Sequence, residues 1–257
     1  MQMTKSASDF YEQHFLNVKH FALSPMMADR YDEFLQLALE VFAFSENYDR
    51  RELVKVLAKM EILKEFLQEI KGVMREVAVT RTVDNFLSYV ADILTEIMIA
   101  RPEVLKSQEQ VSMKEVLEHD SLEEFTRWAA ERHVGQLSFK GLAEISEYIS
   151  KRLGLALHVS PSDQALLVKS VAIRNLVVHR RSVVDLRFIR SFGDRCLVAG
   201  DKFDIPADVL PDAIGCTLKA VAAFDAQAAT KFGIARIPNV DLPWYMATNG
   251  PHRLSGG

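Results

Sequence analysis

Apolar residues recur along most of this chain at alternating spacings of three and four, the pattern of an amphipathic helix with one buried face. The pattern predicts helices from Ala28 to Phe44, from Arg50 to about Arg75 and from about Val83 to Ala100. The third helix is expected to stop at Arg101, because Pro102 disfavours helical geometry in the residue that precedes it.

Two serines predict the starts of further helices. Ser112 is followed three positions later by Glu115, and Ser121 is followed in the same way by Glu124. In this spacing, called a capping box, each of the two side chains accepts a hydrogen bond from the backbone N–H of the other residue. We therefore expect a helix to begin after each serine.

Two longer helices follow. One is predicted over Phe139 to Leu153, with Gly154 as its C-terminal stop, because glycine readily adopts the left-handed conformation that ends many helices. The next is predicted to start near Ser160 and Pro161, and it is the most apolar helix of the chain.

Short apolar segments then predict a small β-hairpin. Its strands are Cys196–Val198 and Lys202–Ile205, joined by a turn at Ala199–Asp201. An alanine-rich helix from about Pro206 to Phe232 follows, and residues 236–257 are predicted to form a flexible C-terminal tail. The predicted fold class is all-α, a helical bundle with a small β-hairpin before the last long helix.

Composition excludes several classes of protein. Of the 257 residues, 49% are hydrophobic and 26% are charged, so the chain can bury a core and is not disordered throughout. Two cysteines, Cys196 and Cys216, are too few for a disulfide scaffold or a four-thiolate zinc site. We therefore expect a cytoplasmic protein. No apolar run approaches the roughly 20 residues that span a bilayer, so no membrane segment is predicted.

Charge is unevenly distributed along the chain. The net charge is −4, but the segment Lys169–Arg195 holds seven Lys and Arg against two Asp and Glu. Subtracting these from the totals of 31 and 35 leaves 24 basic and 33 acidic residues elsewhere. This basic segment is more informative about partners than the net charge is.

Familiar catalytic and metal-binding motifs are absent from the sequence. It contains no glycine-rich phosphate loop, no HExxH, no GxSxG and no Cys-x-x-Cys, and no two histidines have metal-ligand spacing. We therefore predict neither a metal nor a cofactor.

Three polar residues interrupt the most apolar helix. Asn175 and His179 are four apart and share a helical face, and Arg174 lies about 100° from Asn175. Such residues are costly inside an apolar helix unless they meet partners or perform chemistry. Two interpretations are open. One is a polar network that ties helices together; the other is a phosphate-handling site in which Arg174 binds the anion and His179 transfers protons.

The segment Arg174–His179 resembles the Arg-x4–6-His motif of the HEPN superfamily, in which Asn, Asp or His commonly follows the arginine, as Asn175 does here. The resemblance extends over a helical domain of residues 81–235 and leaves residues 1–80 as an N-terminal helical extension. It implies a small all-α domain that in many members is a metal-independent endoribonuclease. Active members are homodimers with the motif at the interface.

Two other segments fit the bare pattern, Arg127–His133 and Arg152–His158. The first lies on a charged helix and has no polar residue directly after the arginine. The second is interrupted by Gly154, which ends its helix. Only Arg174–His179 combines an apolar helix, the asparagine and a basic flank, so we select it.

The resemblance also implies a mechanism. The 2′-hydroxyl of RNA would attack the adjacent phosphate, with two copies of His179 in a dimer as general base and general acid. Arg174 would bind the phosphate and stabilise the charge of the transition state, while Asn175 would orient the imidazole or the phosphate. The residues expected to follow the RNA backbone are Arg180, Arg181, Arg187 and Arg190.

The implied function is an endoribonuclease that acts as a toxin in stress response or phage defence. Its partners would be RNA, a second copy of the chain, and an antitoxin or a protein of a defence complex. Some HEPN toxins are silenced by adenylylation of a tyrosine just after the motif histidine, whereas here no tyrosine follows His179 before Tyr245. The alternative is a catalytically silent HEPN module that dimerises, binds a nucleotide or scaffolds a complex.

Overall fold

The computed structural model describes residues 2–22, 50–105, 111–193 and 196–237, together with residues 25, 28, 30–33, 36 and 40. Most of the described residues are helical, which confirms the all-α prediction. The predicted helix from Ala28 to Phe44 and the predicted tail lie largely outside these residues. No described helix is long and apolar enough to cross a membrane.

The α-helices of the described residues are numbered in chain order, and short π or 3₁₀ turns follow three of them. Their bounds are α1 (Lys5–Asn17), α2 (Arg50–Ala100), α3 (Met113–Leu117), α4 (Leu122–Lys140), α5 (Leu142–Tyr148), α6 (Pro161–Arg180), α7 (Leu186–Phe192) and α8 (Val209–Phe232). The turns are π at Val18–Ala22 and Ile149–Leu153, and 3₁₀ at Pro102–Leu105.

Helix α2 is one continuous helix of 51 residues, which corrects the prediction of two separate helices in this region. Residues 76–82 between the two predicted helices contain neither glycine nor proline, so no residue there breaks the backbone hydrogen-bond ladder. The predicted end is confirmed, because α2 stops at Ala100, just before Arg101 and Pro102.

The predicted caps of α3 and α4 are present in two forms. The Ser112 side chain accepts a hydrogen bond from the backbone N–H of Glu115, whose carboxylate accepts from Ser112 in return, a complete capping box. The Ser121 side chain accepts from the backbone N–H of Glu124 at 3.1 Å. The Glu124 carboxylate, however, accepts from the N–H of Asp120 at 2.9 Å, so this second box is only half formed.

The helix predicted from Phe139 to Leu153 does not begin at Phe139. Helix α4 runs on through Lys140 and ends at Gly141, whose φ of 101° is accessible to glycine. The prediction of the other end is confirmed, since Gly154 adopts the left-handed conformation with φ of 58°.

The predicted β-hairpin is not formed in the described residues, although its turn is. The N–H of Asp201 donates to the carbonyl of Val198 at 3.3 Å and closes the turn. Lys202, the first residue of the predicted second strand, instead pairs with Val183 in an isolated antiparallel bridge.

Backbone groups of a distant segment replace the predicted partner strand. The N–H of Val184 donates to the carbonyl of Asp201 at 2.9 Å, and the N–H of Gly200 donates to the carbonyl of Val184 at 2.9 Å. The N–H of Phe203 donates to the carbonyl of Ser182 at 2.7 Å. Because these bonds occupy the turn residues, the chain after the turn does not return along Cys196–Val198.

The chain divides into two units, each assembled from segments that are separated in sequence. Unit 1 comprises Met1–Phe15, Asp84–Leu167 and Cys216–Gly257; unit 2 comprises Leu16–Val83 and Val168–Gly215. The boundaries that the sequence predicts near residues 80 and 235 stay predictions.

Aromatic side chains fill the core of unit 1. Phe10, Phe86, Tyr89 and Phe224 are each at most 2% exposed. The Asn85 side chain donates to the carbonyl of Phe10 at 2.9 Å and ties α1 to α2. Since each buried aromatic ring removes a large apolar area from water, these residues dominate the stability of the unit.

The N-terminal residues of unit 1 are anchored by two carboxylates. Asp225 accepts hydrogen bonds from the backbone N–H of Thr4, at 3.2 Å, and from its hydroxyl. Glu96 accepts from the backbone N–H of Ser6 at 3.0 Å and from its hydroxyl. Burial raises the pKa of Asp225, although the bonds from Thr4 oppose that change. These contacts hold the start of α1 in the body of the unit.

The core of unit 2 combines apolar side chains with one buried arginine. Ile173, Leu176 and Leu210 are each at most 3% exposed. The Arg75 guanidinium, also buried, donates from Nη1 to the carbonyl of Ile205 at 2.7 Å. This bond satisfies a backbone acceptor in the segment that leads to α8.

Candidate functional site

Helix α6 carries all three predicted catalytic residues and begins where the sequence predicts. The Ser160 hydroxyl accepts a hydrogen bond from the backbone N–H of Asp163 at 3.1 Å. This is an N-cap, which supplies a partner for one of the unpaired N–H groups at the start of a helix. Pro161 is the first residue of α6, a position where its missing N–H costs nothing.

The predicted catalytic side chains lie on the accessible side of α6. In unit 2, α6 buries Ser170, Ile173 and Leu176, which share one face of the helix. Asn175 and His179 project from the opposite side, and Arg174 projects from the flank between them and the buried face. Arg174 and Asn175 are half-buried, and His179 is exposed.

A direct hydrogen bond joins two of these residues. Nη1 of Arg174 donates to Oδ1 of Asn175 at 3.0 Å. The bond orients the asparagine amide and turns the guanidinium toward the side of the helix that carries His179. The structure therefore brings Arg174 and Asn175 together, with His179 one turn further along the same helix.

Helix α6 ends in a strained backbone. Arg181 has a φ of 52° and Ser182 a φ of 63°, both in the left-handed region that glycine usually occupies. The N–H of Ser182 donates to the carbonyl of Leu176 at 3.2 Å and closes the last turns. Each left-handed residue other than glycine costs roughly 1 kcal/mol or more, so surrounding contacts must hold the pair in place.

Those contacts converge on Ser182, which is 1% exposed. Its hydroxyl donates to Oε1 of Glu76 on α2 at 2.6 Å. Its carbonyl accepts from the N–H of Phe203 at 2.7 Å. With the bond to Leu176, every polar group of Ser182 has a partner, and the chain direction after His179 is fixed.

The four predicted RNA-binding arginines lie between positions 180 and 190, after His179, and all are exposed. Nε of Arg180 lies 3.4 Å from Oδ2 of Asp185, an ion pair that is partly exposed to solvent. Nε of Arg190 donates to the carbonyl of Leu186 at 3.1 Å. The other two members of the set are Arg181 and Arg187. All four belong to unit 2, as the candidate catalytic residues do.

Three phenylalanine rings pack together in the same part of the chain as the basic segment. The rings of Phe188 and Phe203 lie 5.0 Å apart edge to face, and Phe192 lies 5.0 Å from Phe188. The ammonium of Lys169 on α6 lies 5.1 Å from the centroid of the Phe192 ring, a cation–π contact. These contacts connect α7, which carries Arg187 and Arg190, to α6.

The residues that fix the end of α6 were not predicted from the sequence. Glu76 is 106 positions from Ser182 in sequence, and Phe203 is 21 positions away, so no local spacing relates either of them to the motif. Phe188 and Phe192 carry the one available signal, because they are four apart and therefore share a face of α7.

The two rejected matches lie in different surroundings. Arg127 and His133 are both on α4, where the imidazole of His133 lies 5.4 Å from the Tyr148 ring. Arg152 precedes Gly154, and His158 follows it beyond the end of the helix. Both matches belong to unit 1.

No group of three or more His, Cys, Asp or Glu residues in the described ranges is arranged to hold a metal ion. Comparison with protein-family models, with curated proteins and with solved structures found no match to this chain.

Proposed function

We propose that this chain is a metal-independent endoribonuclease of the HEPN type, with Arg174, Asn175 and His179 as its catalytic residues. One observation carries the proposal: the His179 imidazole is exposed at the end of α6, one turn from the hydrogen-bonded pair of Arg174 and Asn175. An exposed imidazole can exchange protons with a bound substrate near neutral pH. A guanidinium on the same helix can bind a phosphate through two parallel hydrogen bonds.

The chemistry uses the nucleophile that RNA itself supplies. A base removes the proton of the 2′-hydroxyl, the 2′-oxygen bonds to phosphorus, and the bond from phosphorus to the 5′-oxygen breaks. An acid donates a proton to the departing 5′-oxygen. The products are a 2′,3′-cyclic phosphate and a 5′-hydroxyl. Arg174 stabilises the extra negative charge on phosphorus oxygens in the transition state.

This reaction needs two proton-transfer groups, whereas α6 offers one suitable imidazole. A homodimer with its two-fold axis near the end of α6 supplies the second, since each protomer contributes His179. Exposed apolar side chains of unit 2 support an interface there, because water-exposed patches of this kind favour association. They are Val178 (46% exposed), Val183 (37%), Leu186 (67%) and Val198 (60%).

RNA binding is assigned to the exposed arginines after the motif. Arg181 and Arg187 carry guanidinium groups on the same unit as His179, and Arg180 and Arg190 add two more charges. A row of cations binds a phosphate backbone with little sequence preference. A toxin-like role in stress response or phage defence, in the cytoplasm and under the control of an antitoxin or a defence-complex protein, is consistent with such a substrate.

The deciding experiment compares matched histidine variants in an RNA cleavage assay. His179→Ala and Arg174→Ala should each lower the cleavage rate by roughly 10²–10⁴-fold while the circular dichroism spectrum stays that of the wild type. His133→Ala and His158→Ala are the controls, because they remove the histidines of the rejected matches. Both controls should cleave at the wild-type rate.

Further arms of the experiment test the mechanism. Cleavage should persist in excess EDTA, and a DNA of the same sequence should stay intact, because it lacks the 2′-hydroxyl. Mass spectrometry should find 2′,3′-cyclic phosphate ends. If the purified dimer leaves all RNA intact, or if His179→Ala cleaves as fast as wild type, the ribonuclease proposal is wrong and the scaffold alternative replaces it.

A further inference from the structure

Helix α3 exposes its apolar side chains to solvent, whereas a normal surface helix buries them. Met113, Val116 and Leu117 are spaced i, i+3 and i+4, so they form one apolar stripe. A surface helix normally turns such a stripe toward the core. Here none of the residues of α3 is buried, and the exposed fractions of the three side chains are 72%, 37% and 76%.

Polar contacts hold α3 in this orientation. Glu115 projects from the side of the helix opposite the stripe, and its carboxylate accepts a hydrogen bond from Arg132 on α4 at 2.6 Å. The Arg132 guanidinium also lies 5.1 Å from the centroid of the Trp128 ring. Hydrogen bonds from Ser112 and then Arg132 lower the pKa of Glu115 to about 2, so the carboxylate stays charged. The stripe is therefore held facing solvent.

Two further exposed apolar side chains flank α3 in sequence. Val111, just before α3, is 45% exposed, and Leu122, at the start of α4, is 80% exposed. We call these five residues and the acidic residues among them the α3 surface. Clustered apolar residues that stay exposed in a folded protein mark a site of association.

The charge of the α3 surface indicates the chemistry of its partner. Residues 111–124 contain five acidic residues and one lysine. Glu115 pairs with Arg132, and Glu118 lies 3.9 Å from the Lys114 ammonium. The acidic residues that are exposed are Glu118, Asp120, Glu123 and Glu124. An apolar stripe with an acidic rim complements a helix with one apolar face and basic flanks.

We propose that the α3 surface binds a basic amphipathic helix of a partner protein. The apolar face of that helix covers Met113, Leu117 and Leu122, and its Lys and Arg residues meet the acidic rim. Helix-on-helix packing suits this surface, because it is itself built from a helix and the start of a second one. The proposal is independent of the ribonuclease site, whose residues belong to unit 2.

A pair of synthetic peptides tests the proposal on the full-length protein. One is a fluorescent helical peptide with leucine on one face and lysine on the other; the second has glutamate in place of every lysine. We expect the lysine peptide to bind saturably in fluorescence anisotropy and the glutamate peptide not to bind. If neither peptide binds, or if both bind equally, the proposal is wrong.

Matched substitutions then locate the binding. Leu117→Ser leaves the net charge unchanged and should weaken binding of the lysine peptide by roughly tenfold or more, as expected for a central interface residue. Val73→Ser removes another exposed apolar side chain, on α2 (63% exposed against 76% for Leu117), and should leave the affinity unchanged. If the two variants weaken binding equally, the α3 surface is not the site.

A charge reversal and a measurement of mass complete the test. The double variant Glu118→Lys, Glu123→Lys should reduce binding of the lysine peptide and should not abolish the helical circular dichroism signal. Analytical ultracentrifugation of wild type and Leu117→Ser should give the same mass. A lower mass for Leu117→Ser would show that a second copy of the chain covers this surface, which would overturn the proposal of a foreign basic helix.

Discussion

His14 on α1 should make the stability of this protein depend on pH between about 4 and 7. It is 1% exposed, and neither ring nitrogen has a hydrogen-bond partner within the described part of the chain. Its ring stacks on Phe10 at a centroid distance of 5.5 Å. A charged imidazole is poorly solvated in such a place, so the folded state keeps His14 neutral.

The sign and size of the effect follow from the pKa. Burial lowers the pKa of His14 from 6.5 to about 4, so the unfolded chain binds this proton more tightly than the folded protein does. The free energy of unfolding is therefore highest above pH 6.5, falls as the pH drops below 6.5, and stops falling below about 4. At about 1.4 kcal/mol for each pKa unit, the whole loss is about 3 kcal/mol, of which about 2 kcal/mol is reached at pH 5.

The assay is urea unfolding of wild type and His14→Phe at pH 8 and pH 5, followed by circular dichroism. Phenylalanine keeps the ring on Phe10 and cannot take up a proton, so the variant should lose about 2 kcal/mol less than wild type between the two pH values. The exposed His20 provides the control, because His20→Gln should leave the pH dependence unchanged. Equal losses for wild type and His14→Phe, or titration of His14 near 6.5 in the folded protein by NMR, would refute the reasoning.

Other substitutions test the contacts that shape α6 and α3. Glu76→Ala should lower the free energy of unfolding by about 1–3 kcal/mol, because it leaves the buried Ser182 hydroxyl without its acceptor. Urea unfolding measures this loss, and an unchanged midpoint would contradict the prediction. Arg181→Gly should raise the stability by up to about 1 kcal/mol, since glycine accepts the φ of 52° without strain, whereas Arg181→Val should lower the melting temperature. Ser112→Ala should raise the pKa of Glu115 above about 2 in an NMR titration but not restore it fully, because the backbone N–H of residue 112 still donates.

Several helix ends could be predicted from the sequence because they depend on residues within one turn. Pro102 ends α2, Gly154 ends the helical segment after α5, and Ser112 begins α3, each through a contact of the backbone with a near neighbour. The break predicted within α2 was wrong, because no local residue there ends the helix. The apolar pattern predicts one helix that ends at about Arg75 and another that starts at about Val83, but with no glycine or proline between them the helix continues.

The candidate site, too, could be predicted only in part from the sequence. The spacing of Asn175 and His179 places them on one face of a helix, and Arg174 beside them, from the sequence alone. Which face meets solvent depends on what packs against Ile173 and Leu176. Only the tertiary structure decides that, because the packing partners come from distant parts of the chain.

The sequence by itself determined the helical class of this protein, the caps of α3, α4 and α6, and the polar triple on one helix, because periodicity and capping act over a few residues. The tertiary structure decided the pairing of Val183 with Lys202 in place of a hairpin, the anchoring of Ser182 by Glu76, and the outward stripe of α3. Each of these depends on groups that lie between 17 and 106 positions apart in sequence, as Glu115 and Arg132 or Glu76 and Ser182 do. Contacts at that range are selected by the packing of the whole unit, and no local pattern encodes them.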